Sequence, residues 1–522
     1  MIVFINTPTD RYPDEGRGSY YTTIPPMGLG SVATIAGKII GKDKVKLIDA
    51  EYEGLSPVMS AKEAVKFNPR EVGFNITEPN RSLVIETAQE IVRLDQNIML
   101  LFGGPEVILD TDGIMNDIEE AGLKSNTIFL VTGEGEKPIK EYLLGTDITT
   151  IAGIAYFDNE QRIIKEGVYL TEEELDEERL DRDLFRNDPN FEDGRVESYI
   201  LTSRGCPFPC NYCAAGEITK KSGLKPRVRT IASVREELQE ALATGVNHVR
   251  FVDDLFLLSK RRILEITRMF REMGINAGNF GYEANGRVSI MSSLPDKTWD
   301  ELQETGLKEL EIGVESGSPR MLELMNKRIT PEQVLTTARQ AFKRRIGVKG
   351  FFMAGYYQET TEDLDTTIEL VKLLKMEGGS LFRASMVPVK DYHGTVLFDQ
   401  MKYTREFLEA NGARFGDEVN VNLASFLKID PEVYRDVTQV LEGRTRYNAF
   451  PTIAFSGESF RPIAISELTG GATTQDVMCS LAEVALISSG QHRELNEARI
   501  TKDRETYFSA LEMQRSSILE RR

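Results

Sequence analysis

The chain has 522 residues, 41% of them hydrophobic and 28% charged, and a formal net charge of −19. That length exceeds one ordinary hydrophobic core and implies two or three domains, while the composition is that of a soluble globular protein. So acidic a chain repels phosphate backbones, which argues against nucleic acid as a general partner, and no apolar run approaches the roughly 18 residues that a bilayer crossing needs.

The first six residues, Met1-Ile-Val-Phe-Ile-Asn6, lack the basic stretch and long apolar core of a signal peptide and read as a buried strand, so the expected location is the cytoplasm. Strands are expected at 2–6, 45–49, 72–75, 98–102 and 128–132, with helices at 28–40, 60–67, 82–94 and 112–121 between them. This alternation implies a doubly wound, Rossmann-like parallel sheet over residues 1–150, with a ligand beyond the carboxyl ends of the strands. A hairpin over 151–168 leads into an acidic stretch, so 151–195 reads as hairpin and linker. A second series follows over 196–395. Its strands are expected at 198–202, 248–253, 280–284, 309–315, 348–355 and 381–387, and its helices at 233–243, 261–273, 296–305, 331–345 and 361–376. Six repeats are too few for an eightfold barrel and imply an open, partial (β/α)6 barrel of TIM type. Residues 396–522 read as mostly helical, at 431–441, 476–487 and 493–519, a region suited to covering a substrate. The basic runs at 220–229 and 343–345 read as solvated helix faces.

Only four cysteines occur, and three of them lie within eight residues, Cys206-Pro-Phe-Pro-Cys210-Asn-Tyr-Cys213. A disulfide scaffold spreads many cysteines along a short secreted chain, so metal-ligating thiolates fit better. Three thiolates on one tight loop can hold three irons of a [4Fe–4S] cubane and leave the fourth open. An open iron can chelate the amino and carboxylate groups of S-adenosylmethionine (SAM), and one electron then cleaves a carbon–sulfur bond. Gly205 allows close backbone approach, and Pro207 and Pro209 stiffen the loop. Zinc would require a fourth ligand at short spacing, whereas His248 and Cys479 are far away. Cys479 reads as a buried thiol, and His393 as a surface or packing histidine rather than a proton acceptor.

The run Thr202-Ser-Arg-Gly-Cys-Pro-Phe-Pro-Cys-Asn-Tyr-Cys213 closely resembles the radical SAM signature. Phe251-Val-Asp-Asp254, Glu283-Ala-Asn-Gly-Arg287, Glu311-Ile-Gly-Val-Glu-Ser-Gly-Ser318 and Phe352-Met-Ala-Gly355 follow in family order. The resemblance implies Cys206, Cys210 and Cys213 as cluster ligands, with Tyr212 packed by the cluster and adenine. It also implies that Glu315 and Ser316 face the nucleoside, and that Asp253, Glu283 and Arg287 line the same mouth. One departure is clear: where the family often has Pro-Gly-Glu-Thr after Gly355, this chain has Tyr356-Tyr357-Gln358-Glu359-Thr360.

No G-x-G-x-x-G follows the first strand, which disfavours a dinucleotide. Pro25-Pro26-Met27-Gly28-Leu29-Gly30, Val72-Gly73-Phe74, Gly103-Gly104-Pro105 and Gly133-Glu134-Gly135-Glu136 occur in the order seen in cobalamin-binding domains of radical enzymes. This resemblance implies corrin contacts from Thr7, Pro26, Met27, Gly28, Asn75, Thr77, Gly103, Gly104, Pro105, Gly133, Glu134 and Gly135. No histidine precedes His248, so no protein histidine is expected on cobalt. Together the resemblances imply radical methylation of an unactivated carbon of a small molecule or lipid, with electrons from a low-potential donor such as flavodoxin or ferredoxin. Cyclisation, ring contraction or rearrangement without net methyl transfer is the alternative, and a non-catalytic corrin-binding protein the remaining class. A transfer-RNA methylthiotransferase would carry further cysteines before residue 206.

Overall fold

The computed structural model describes residues 1–8, 24–123, 128–158, 161–177, 179–184, 194–354 and 356–401. The helices expected at 431–441, 476–487 and 493–519, together with Gly355 and Cys479, lie outside the described residues. The chain forms two compact units. The first comprises Met1–Pro209, Cys213–Phe256 and Tyr392–Gly394; the second comprises Cys210–Tyr212, Leu257–Asp391 and the chain from Thr395.

In the first unit, β1 (Ile2–Asn6), β2 (Val45–Asp49), β3 (Glu71–Asn75), β4 (Met99–Gly103) and β5 (Ile128–Val131) are parallel, in the order β2-β1-β3-β4-β5. Alternate residues serve opposite faces: Val3 and Ile5 enter one core, Ile2 and Phe4 the other. Both faces are therefore apolar, as a sheet covered by helices on both sides requires. Helices Met27–Ile40, Pro57–Val65, Arg81–Leu94 and Thr111–Glu120 lie close to the expected positions.

The hairpin expected at 151–168 forms. Its strands, β6 (Ile154–Asp158) and β7 (Gln161–Ile164), extend the sheet antiparallel to β5. Ala155 and Phe157 enter one core and Ile154 and Tyr156 the other, so β6 needs cover on both faces.

The same unit continues through β8 (Glu197–Ile200), β9 (Ser203–Arg204), β10 (Arg227–Val228) and β11 (His248–Phe251). Strands β8 and β11 pair in parallel, and β9 pairs with β10 in a two-residue antiparallel ladder. In the second unit, β12 (Gly281–Gly286), β13 (Leu307–Glu315), β14 (Gly347–Ala354) and β15 (Phe382–Pro388) pair in parallel in chain order. Helices Lys260–Glu272, Asp296–Glu304, Pro331–Lys343 and Thr361–Gly378 alternate with them. Two capping boxes, at Thr330 and Thr360, start the last two of these helices and satisfy backbone donors that would otherwise lack partners.

The basic runs are not simply solvated faces. Lys220 is exposed and pairs with Glu217, but Arg229 is buried against Glu237 and Arg227 forks onto Glu134 at 2.8 and 2.9 Å. Likewise Lys343 is exposed, whereas the Arg344 side chain is buried and holds Asp300 at 2.7 Å. A buried guanidinium needs a partner carboxylate, and those of Arg227 and Arg344 lie 93 and 44 residues away in sequence.

Candidate active site and cofactor mouth

The cysteine loop leaves β9 and ends at the helix Ala214–Lys221. Gly205 takes φ +92°, and a Cβ there would stand 2.8 Å from Thr219 Oγ1, so glycine is required twice over. Its N–H donates to Asp254 Oδ2 at 2.8 Å, and the Cys206 N–H donates to Thr219 Oγ1 at 3.0 Å. Asp253 was expected to line the SAM mouth. Instead it is buried, and its carboxylate accepts from the Thr202 N–H (3.1 Å) and from the Thr202 and Ser203 hydroxyls (2.8 and 2.5 Å). It therefore shapes the approach to the cysteine loop. No disulfide joins Cys206, Cys210 or Cys213, and each is partly exposed.

Within the second unit, Asn211 is clamped by its side chain on the Leu324 carbonyl (2.8 Å), its N–H on the Met325 carbonyl (3.0 Å), and the Leu397 N–H on its own carbonyl (2.9 Å). The clamp fixes its neighbours Cys210 and Tyr212. The Tyr212 hydroxyl donates to Glu315 Oε1 at 2.9 Å, and Lys327 Nζ reaches the same oxygen at 2.6 Å and the Tyr212 oxygen at 3.1 Å. Glu315 takes φ +67° where the β13–β14 register shifts. A non-glycine residue there stores on the order of 1–3 kcal/mol of strain and persists only where its surroundings over-determine it. Gly313 leaves the room: a Cβ on it would lie 2.3 Å from Glu315 Oε1 and 2.6 Å from Lys327 Nζ. Arg287 donates from Nη1 to Cys210 Sγ at 3.5 Å and from Nη2 to the Lys327 carbonyl.

Ser316, expected to face the nucleoside, is fully buried; its hydroxyl meets Thr367 Oγ1 at 2.9 Å and accepts from the Ser318 N–H at 3.1 Å. Glu283 sits partly exposed on β12, beside Glu309 of β13. Thus Tyr212, Glu315, Arg287 and Cys210 come together, while Asp253 and Ser316 serve the framework.

In the first unit the chain runs from β1 out to β2 and returns to β3 on the other side of β1, so β1 and β3 flank a topological switch point, where open sheets bind ligands. Asn80 staples these two strand ends, donating to the Asn75 carbonyl (3.0 Å) and the Thr7 carbonyl (3.4 Å) while accepting from the Thr77 N–H (2.8 Å). Among the described residues, the Thr7 and Thr77 hydroxyls, from the same two ends, are buried with no hydrogen-bond partner. Gly104 (φ +108°) packs so tightly that a Cβ would meet Asn75 Oδ1 at 2.4 Å. Gly28, at the start of its helix, would point a Cβ into open space. Pro26 precedes the helix Met27–Ile40, Gly103 ends β4, and Pro105 opens the helix Pro105–Leu109.

The loop 133–136 behaves differently. A Cβ on Gly133 would meet the Val168 backbone at 2.3 Å, and one on Gly135 would meet Val32 at 2.7 Å. Glu134 accepts from Arg227, from Arg204 (3.3 Å) and from the Leu170 N–H (2.7 Å). Burial acts to raise the pKa of Glu136, but Arg204 at 2.7 Å outweighs it and holds the carboxyl below the usual range. These residues, expected to touch a corrin, make packing and ion-pair contacts that seat Arg204, the residue preceding Gly205.

Residues 200–371 match the family model described as the Radical SAM superfamily. This chain carries a radical SAM domain. An uncharacterized methyltransferase of Pyrococcus horikoshii is 29% identical over 373 residues, covering 70% of this chain and 77% of its own. A tRNA-2-methylthio-N(6)-dimethylallyladenosine synthase of Thermotoga petrophila is 23% identical over 333 residues, covering 59% of this chain and 70% of its own. Among solved structures, the radical S-adenosylmethionine methyltransferase TsrM of Kitasatospora setae, with cobalamin and a [4Fe–4S] cluster bound, superposes with a TM-score of 0.56 at 17% identity, covering 74% of each chain. OxsB, a cobalamin-dependent S-adenosylmethionine radical enzyme, gives 0.59 at 14% identity, covering 99% of this chain and 75% of its own. Both likenesses establish fold. The radical SAM domain also holds residues that pattern reading missed: Lys327, in the turn after a six-residue helix, and Arg204 inside the signature itself. No helix among the described residues is long and apolar enough to cross a membrane.

Proposed function

We propose that this chain is a cobalamin-dependent radical SAM methyltransferase acting on an unactivated carbon. The observation that carries the corrin half of the reading is the β1/β3 switch point, where, among the described residues, two buried hydroxyls lack partners and nothing stands against a Cβ on Gly28. A polar-edged ligand larger than a metal ion suits such a crevice, since buried hydroxyls without partners are costly. For the cluster half, three thiolates on a braced loop fit a cubane with one open iron.

When bound, the two groups would supply reductive cleavage of SAM and delivery of a methyl group. The chain's own part is placement. Cys206, Cys210 and Cys213 would ligate the cluster, on a loop held by Asp253, Asp254 and Thr219. Lys327 fixes the Glu315 carboxylate and the Tyr212 hydroxyl as oriented groups beside Cys210. Thr7, Thr77, Asn75, Gly28 and the Gly103-Gly104-Pro105 turn would receive the corrin. A covering role for residues 396–522, most of which lie outside the described residues, belongs to the same proposal. The electron would come from a low-potential flavodoxin or ferredoxin, and thiolate ligands suit a reducing, cytoplasmic setting.

The first cysteine of the chain is Cys206, so nothing before it offers thiolates for a second cluster, in keeping with methylation over methylthiolation. The test is product analysis under reducing, anaerobic conditions. S-adenosylhomocysteine together with 5′-deoxyadenosine supports methylation, whereas 5′-deoxyadenosine alone supports cyclisation or rearrangement.

A further inference from the structure

Asn211, between the cysteine-loop residues Cys210 and Tyr212, is held from two places in the second unit. At the end of the helix Pro319–Leu324, its side chain donates to the Leu324 carbonyl at 2.8 Å and its N–H to the Met325 carbonyl at 3.0 Å. The other support comes from the chain after β15. There the Leu397 N–H, in the short helix Val396–Gln400, donates to the Asn211 carbonyl at 2.9 Å.

A helix of 5 residues does not persist on propensity alone, so what anchors it decides whether that donor is in place. Thr395, itself buried, caps its start and accepts from the Phe398 N–H at 3.2 Å. The Leu397 and Met401 side chains are fully buried in an apolar cluster with Met321, Met325 and Met353, against which Tyr212 also packs. The N–H groups of a first helical turn have no partner within the helix. Leu397 stands in that turn, two places after its cap, and gives its N–H to the cysteine loop.

We propose that Asn211 is a positioning residue for the cluster ligand Cys210, and that the helix Val396–Gln400, capped by Thr395, is a support of the metal loop supplied by the chain after the barrel. The proposal rests on the cluster reading above. Asn211 touches no reacting atom and acts through the residues on either side of it. Fixing its side chain, N–H and carbonyl at once removes backbone freedom next to Cys210 before any metal arrives, so less ordering remains to be done on binding. A ligand whose neighbour cannot swing away also releases its metal more slowly, as outer contacts that orient metal ligands generally ensure.

The first arm of the test needs no metal. In the metal-free, full-length protein, alkylation by iodoacetamide is followed at each cysteine by mass spectrometry. Asn211→Asp keeps the shape of the side chain and removes its donor to Leu324, and Thr395→Ala weakens the helix at its cap. Each should speed alkylation of Cys210 about fivefold. Cys206, whose N–H is held by Thr219 instead, is the internal control and should not change. Thr395→Ser keeps the capping hydroxyl and should match the wild type. In the second arm, iron release from the reconstituted protein to a chelator should quicken about tenfold in Asn211→Asp and Thr395→Ala. Unchanged Cys210 alkylation and iron release in both variants overturn the proposal. So does equal acceleration at Cys206 and Cys210, the mark of a chain that has only lost stability. Should the variants fail to fold, hydrogen exchange of the wild type read at single amides decides, because a Leu397 amide exchanging at the unprotected rate overturns the proposal and a protected one supports it. A wild type that takes up no iron would instead refute the cluster reading itself, with the alkylation arm still deciding the clamp.

Discussion

Replacing Lys327 by methionine isolates the contribution of a buried ion pair to the site. Lys327 and Glu315 each expose 9% of their side chains and meet at 2.6 Å. Removing one partner of such a pair costs about 3–5 kcal/mol, because a charge is left buried without compensation. Native-state hydrogen exchange of the amides around β13 reads the local opening free energy. The double variant Glu315→Gln/Lys327→Met, with no buried charge, should recover most of the loss. A deficit below about 1 kcal/mol would refute this account of the pair.

Three further outcomes follow from the same geometry. Gly313→Ala should separate Lys327 from Glu315, because the new Cβ would sit 2.3 Å from the carboxylate oxygen, and SAM affinity measured by titration calorimetry should fall about tenfold, an estimate of roughly 1.4 kcal/mol. Gly28→Phe should fill the open space at the helix start, lowering cobalt per chain while leaving iron per chain unchanged. Burial pushes the Asp253 carboxyl up from 3.8 to about 6 despite its donors Ser203 and Thr202. Its contribution to stability is therefore present below the lower value and lost as pH rises through the upper one, and Asp253→Asn should flatten that part of the thermal stability profile, with an unchanged slope counting against it.

Much of the architecture was legible because period and position carry it. Apolar runs bounded by Gly, Asn and Pro marked the parallel strands to within a residue or two, and the C-x₃-C-x₂-C spacing needed no structure to suggest a metal loop. The losses have a common cause, since partners distant in sequence decide what a polar side chain does. Arg227 and Arg229 read as solvated charge until Glu134 and Glu237 are placed beside them. Glu134 itself read as a ligand contact, although two arginines occupy it. Asp253 and Ser316 stood in the right motifs but turn inward onto Thr202, Ser203 and Thr367. Lys327 carried no signal, as a lysine in a turn after a short helix is ordinarily a surface residue. His393, read as a surface or packing histidine, meets Glu106 at 2.5 Å within the first unit.

The most direct test of the central claim is metal and product analysis of one anaerobic preparation. The account predicts close to four iron atoms and about one cobalamin per chain after reconstitution, and 5′-deoxyadenosine with S-adenosylhomocysteine on reduction with SAM and substrate. In Cys210→Ala, cleavage should be lost while cobalamin remains. A reconstituted wild type without iron, or a Cys210→Ala variant that still cleaves SAM, would contradict it.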